Sequence, residues 1–68
     1  MTDLVEFKVA LIRANKKRSD VAAVLGISLM GLHKKLTNIT EFKASEIETL
    51  RQFLCLSDDA RDRIFFAH

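Results

Sequence analysis

Apolar residues recur every three or four positions along most of the chain, a spacing that belongs to helices and not to strands. In Leu4 to Ala14 the residues Leu4, Phe7, Leu11 and Ala14 mark one buried stripe, and Val5, Val9 and Ile12 are expected to widen it. Asn15 follows, a residue that tolerates the left-handed backbone that closes a helix. A short second helix is predicted from about Arg18 to Leu25, with Val21, Ala22 and Leu25 inward and Gly26 ending it. Ile27 then dips into the core, and Ser28 caps a third helix that runs to about Leu36, its inner face carrying Leu32 and Leu36. Thr37 to Lys43 reads as a polar connection anchored by Ile39 and Phe42. Ser45-Glu46-Ile47-Glu48 has the form of a capping box opening a fourth helix, whose buried stripe is Ile47, Leu50 and Leu54. Ser57 caps a fifth, with Asp58 and Asp59 at its positive end, and the chain runs out through Ile64, Phe65, Phe66, Ala67 and His68.

The expectation is an all-α chain of five helices in a single domain, residues 1–68, with no proline and only two glycines to supply long loops. A chain this short is marginal alone, so tight helix packing or a partner subunit has to help. The lone Cys55, set between Leu54 and Leu56, is expected to be a buried thiol. Nothing approaches the run of about 18 apolar residues that a membrane span requires, and the acidic Asp3 and Glu6 are unlike a secretory leader, so a cytoplasmic protein without a membrane partner is expected. His33 and His68 are far apart, zinc-ligand spacing is missing, and Cys55 lacks an evident base. No enzyme, metal, cofactor or small-molecule ligand is expected.

Charge changes the picture through its placement. The net charge is +2, yet Lys8 to Lys43 holds eight basic residues against Asp20 and Glu41, while the segments on either side are each acidic by two charges. A local positive surface follows, and nucleic acid is the first partner to consider. Lys16, Lys17 and Arg18 crowd the start of the second helix, where the helix dipole disfavours cations. Either they form a solvated charge run, or a DNA phosphate sits at that terminus and makes the arrangement favourable. The set Val21, Ala22, Leu25, Gly26, Ile27 and Leu32 is the pattern demanded by two helices crossing steeply over a short turn, a helix-turn-helix.

With these residues, and with Lys35-Leu36-Thr37-Asn38 ending the third helix, the chain resembles the lambda-repressor-like family, the Cro and repressor proteins of temperate phages and their bacterial relatives. The resemblance covers nearly the whole chain. Arg18 stands where that family most often has glutamine, and Asn15 where glycine commonly ends the first helix. The resemblance implies a recognition helix at about residues 28–37 in the major groove of a double-stranded operator, with Leu29, Met30, His33, Lys34 and Thr37 outward as base-reading positions. Leu29 and Met30 can pack on thymine methyl groups, although Leu29, three residues before Leu32, is equally suited to the core. Lys16, Lys17, Arg18, Ser28, Asn38 and Thr40 are the implied phosphate contacts. A homodimer, at least on DNA, is implied as well. Ile64, Phe65 and Phe66 are its candidate contact, because adjacent helical residues diverge by about 100° and Phe65 and Phe66 cannot both enter one small core. A chain end folded over the first helix is the other reading of that pair. The expected function is that of a Cro-like or repressor-like regulator from a phage or prophage, working in the bacterial nucleoid. The competing expectation is an antitoxin or antirepressor that uses the same fold to hold a protein.

Overall fold

The computed structural model describes residues 1–67; His68, named above as the chain end, lies outside the described residues. Five helices follow in order, α1 (Leu4–Ala14), α2 (Arg18–Leu25), α3 (Leu29–Leu36), α4 (Ala44–Phe53) and α5 (Asp58–Phe65). Three of them start on side-chain caps: the carboxylate of Asp3 and the hydroxyl oxygens of Ser28 and Ser57 accept backbone N–H groups from Glu6, Gly31 and Ala60. The fourth helix begins earlier than its sequence suggested. Lys43, not Ser45, is the N-cap, and only the returning half of the box forms, with Glu46 accepting the Lys43 N–H at 2.8 Å. A carboxylate at the third helical position serves the cap whatever residue occupies the cap itself, which moves the start by two residues.

Four helices stop in one way. Asn15, Gly26, Asn38 and Cys55 all take left-handed backbone angles, φ between 54° and 68°. The next N–H then reaches five residues back: Lys16 to Leu11, Ile27 to Ala22, Ile39 to Lys34 and Leu56 to Arg51, at 2.8–3.0 Å. This is the Schellman closure, and it turns the chain sharply at each corner. Around Gly26 a built-in Cβ would meet nothing within 4 Å, so glycine is required there by the backbone angle alone. Cys55, expected inside, is exposed because its place at such a corner points it outward.

The helices enclose one core in which Phe7, Val21, Leu32, Leu36, Leu50 and Ile64 are fully buried. Each such side chain contributes roughly 1.5–3 kcal/mol through burial. Packing joins α2 to α3 and α4, and α1 and α4 to α5. Phe42 and Phe65 meet edge to face at 5.1 Å between ring centres. The stripe on α1 is narrower than expected: Ala10 joins Phe7 and Leu11 inside, whereas Val5 and Ile12 are 69% and 78% exposed and Val9 sits at the border. Ile39, expected as an anchor of the connection, is 68% exposed, and Phe42 alone serves that role.

The first residues form a strap. Thr2 is buried; its N–H donates to Asn38 Oδ1 at 2.8 Å, and Asn38 Nδ2 donates back to the Thr2 carbonyl at 3.2 Å. Asp3 N–H donates to the Ile64 carbonyl and Ala67 N–H to that of Met1. The start of the chain thus ties the end of α3 to the end of α5.

Candidate nucleic-acid interface

Between α2 and α3 the chain needs only Gly26, Ile27 and Ser28. The buried Val21 and Ala22 of α2 and Leu32 and Leu36 of α3 face the core, so the opposite side of α3 is free. On that side Leu29, Met30, His33, Lys34 and Thr37 are all exposed. The double reading of Leu29 resolves outward: it is 57% exposed, and Met30 63%. Ser28 spends its acceptor on the Gly31 N–H at 3.0 Å, and Thr37 donates its hydroxyl to the His33 carbonyl at 2.9 Å. The polar groups of the face with no hydrogen bond inside the chain are those of His33 and Lys34, and Ser28 keeps its O–H to donate. Gly31 leaves room for the cap, since a Cβ there would stand 3.3 Å from Ser28 Oγ.

The cations around this face divide into two kinds. Lys17, Arg18 and Lys34 lie within salt-bridge distance of no carboxylate among the described residues. Lys17 is the N-cap of α2, and its backbone N–H donates to Asp20 Oδ2 at 2.9 Å, so Asp20 supplies the negative charge the helix start wants and the lysine side chain is left over. Lys16, grouped with them in the sequence, turns the other way: its Nζ lies 4.9 Å from the centre of the Phe53 ring. Lys35, adjacent to Lys34, is bound inward. Its Nζ donates to Glu46 Oε1 at 3.0 Å and to the Glu41 carbonyl at 3.1 Å, which pins the connection after α3. Burial alone would push the Glu46 carboxyl up, but the Lys43 N–H and the Lys35 ammonium outweigh it and hold the group below its ordinary 4.5.

One expected backbone contact takes on a structural role as well. Asn38 is clasped to Thr2 through its Oδ1 and one Nδ2 N–H, a structural tie that leaves the second amide N–H to an outside acceptor. Thr40 is exposed beside it, with its backbone N–H donating to the Lys34 carbonyl. Of the three residues named for a subunit contact, Ile64 and Phe65 are core residues, and only Phe66 is exposed. The clasp was invisible in the sequence because its partners are 36 positions apart.

The chain matches no family model, no curated protein and no solved structure. Among the described residues no group of His, Cys, Asp or Glu is arranged to hold a metal ion, and no helix is long and apolar enough to cross a membrane.

Proposed function

We propose that the chain is a sequence-specific double-stranded DNA-binding regulator of the Cro or repressor kind, with α2 and α3 as a helix-turn-helix and α3 in the major groove. The observation that supports this best is the exposed outer face of α3 together with Lys17, Arg18 and Lys34, three cations of the α2–α3 segment with no carboxylate within salt-bridge distance among the described residues. A helix fits the major groove and reads base edges with its outward side chains. In this reading Lys17 and Arg18 fix the register on phosphates, and Leu29, Met30, His33 and Lys34 meet the bases. Leu29 and Met30 carry no donor or acceptor suited to a base edge, so they favour thymine methyl groups, while Lys34 suits guanine.

Selection from random duplexes at two salt concentrations, followed by sequencing, tests the proposal. Enrichment of a defined site is the expected result. Two phosphate-neutralising cations per copy, Lys17 and Arg18, give a slope of log K against log salt of about −1.8. Recovery of no preferred site at the lower salt rejects sequence-specific binding.

The apolar character of Leu29 and Met30 also favours a second reading, an antitoxin-like or antirepressor-like module whose partner is a protein. That reading requires the partner to cover Leu29 and Met30 and to be indifferent to Arg18→Ala. The DNA reading requires loss of binding with Arg18→Ala.

A further inference from the structure

Residues 1–3 are held from two opposite sides. On one side Thr2 donates its N–H to Asn38 Oδ1 at 2.8 Å and its carbonyl accepts from Asn38 Nδ2 at 3.2 Å. On the other side Asp3 N–H donates to the Ile64 carbonyl at 2.7 Å, and the Met1 carbonyl accepts from Ala67 N–H at 3.1 Å. Alternation of this kind belongs to extended chain, whose neighbouring residues present their backbone groups to opposite edges, so the Asn38 carboxamide stands where a second strand would. None of residues 1–3 belongs to the apolar core, and Met1 is 74% exposed. The hold therefore rests on four hydrogen bonds set against the ordering of three residues, opposing quantities of similar size.

We propose that residues 1–3 form a latch that opens as one unit before the core does, and that its closure positions the last turn of α3. Cooperativity follows from the balance: with either side released, two hydrogen bonds are too few to order the segment, so both sides open together. Asp3 marks the hinge, because its carboxylate caps α1 and its carbonyl accepts the Phe7 N–H at 3.0 Å, which keeps that residue with the helix. The other end of the latch reaches Lys34 through the backbone. Asn38 occupies the left-handed corner after α3, with φ of 64°, and the next two N–H groups, of Ile39 and Thr40, both donate to the Lys34 carbonyl at 2.9 and 3.2 Å. Lys34 is one of the cations of the exposed face. The clasp fixes the corner that closes its turn, which makes Asn38 and Thr2 positioning residues for that face. The bearing on binding rests on the DNA reading; the latch itself does not.

Amide hydrogen exchange of the full chain, followed by NMR, tests both parts. In the unaltered protein the Asp3 and Ala67 amides should share one opening, more frequent than that of the Leu54 amide, which is bonded to the Leu50 carbonyl in the core. Asn38→Gly removes the carboxamide and keeps a residue at ease with the left-handed angle, so the helix corner survives. It should speed exchange at Asp3 and Ala67 at least about tenfold, through the loss of two hydrogen bonds, and by more than any change at Leu54. Thr2→Pro removes the N–H donated to Asn38 and alters no atom of α3, yet the Ile39 amide should exchange faster. That variant should also bind a selected duplex at least about fivefold more weakly, with the same salt slope because no cation changes. Unchanged exchange at Asp3 and Ala67 in Asn38→Gly overturns the latch, as does exchange of these amides only in step with Leu54. Unchanged exchange at Ile39, or unchanged duplex affinity, in Thr2→Pro overturns the positioning role. Selection that recovers no duplex rejects the DNA reading, and the exchange rates alone then decide the latch.

Discussion

The two halves of the molecule handle their cations in opposite ways. Around α2 and α3, Lys17, Arg18 and Lys34 have no carboxylate partner, whereas every ion pair among the described residues has a member in α4 or α5. Arg51 is held by Glu48 at 2.7 Å, Arg61 lies between Asp58 and Asp62, and Arg63 approaches Glu6 at 3.7 Å. Even neighbours divide along this line, for Lys35 faces Glu46 with only 13% of its side chain exposed, and Lys34 faces solvent. A cation answered within the chain serves stability, while an unanswered one is available to an outside anion. Among the described residues Lys8, Arg13 and Lys43 also lack a carboxylate partner, so the contrast lies between α2–α3, where Lys35 alone is paired, and α4 and α5, where Arg51, Arg61 and Arg63 all are.

The largest expected effects come from removing members of the unanswered set. Arg18→Ala together with Lys34→Ala should weaken binding to a selected duplex by about 2 to 6 kcal/mol, taking about 1 to 3 for each contact. The unfolding midpoint in urea should barely move, because neither side chain is paired in the folded chain. Measuring both quantities on one preparation decides the matter. If stability falls in step with affinity, the two cations belong to the fold and the contrast between halves fails.

Lys35→Met is the converse variant, expected to cost about 2 kcal/mol of stability by leaving a largely buried Glu46 carboxylate without its ammonium, with duplex affinity unchanged for a given folded fraction. Its neighbour Lys34→Ala should leave stability within about 0.5 kcal/mol of the parent. Denaturant titration of this adjacent pair is the cleanest test of the division, since helix propensity and sequence position are nearly shared.

Acid should weaken the paired half. Glu46 titrates below 4.5 in the folded chain, and Glu48 is pulled down to about 2 by hydrogen bonds from Arg51 and then Gln52. A carboxyl with a depressed folded value stabilises fully above its unfolded value, and that contribution is lost as pH falls through the folded one. Thermal midpoints should therefore decline below about pH 4.5, and Glu46→Gln should flatten the decline while lowering stability at pH 7. An unaltered pH profile in Glu46→Gln removes the Lys35–Glu46 pair from the account.

How far these features were legible in the chain depends on the range over which they are determined. The helix order, the Gly26 corner and the caps at Ser28 and Ser57 are local matters of a few residues, and the structure has them where the residues point. That one of Phe65 and Phe66 must face outward followed from the helix turn, but which one depended on how α5 lies against α1. Val5 and Ile12 were counted inward because hydrophobicity was read without its angle; projected on a helix they stand across from Phe7 and Leu11. The Thr2 clasp on Asn38 joins segments 36 residues apart, and no local pattern carries it. The split between Lys34 and Lys35 is of the same kind, because it is decided by Glu46 in another helix.

The smallest expected effect concerns the corners. Of the four left-handed closures, one uses glycine and two use asparagine, whose short amide tolerates the conformation, while the fourth uses Cys55. A residue with an ordinary Cβ in this region costs about 1–2 kcal/mol. Glycine removes that strain but adds freedom to the unfolded chain worth about 0.4–1 kcal/mol. The balance favours Cys55→Gly by about 0.5–1 kcal/mol, and the exposed thiol makes no core contact to be lost. Gly26→Ala should run the same balance in reverse, destabilising by a similar amount, because its Cβ would enter open space and only the backbone angle opposes it. Paired urea titrations should shift in opposite directions. Equal shifts of one sign would mean that the corners are held by the flanking helices and not by the residues at their apex.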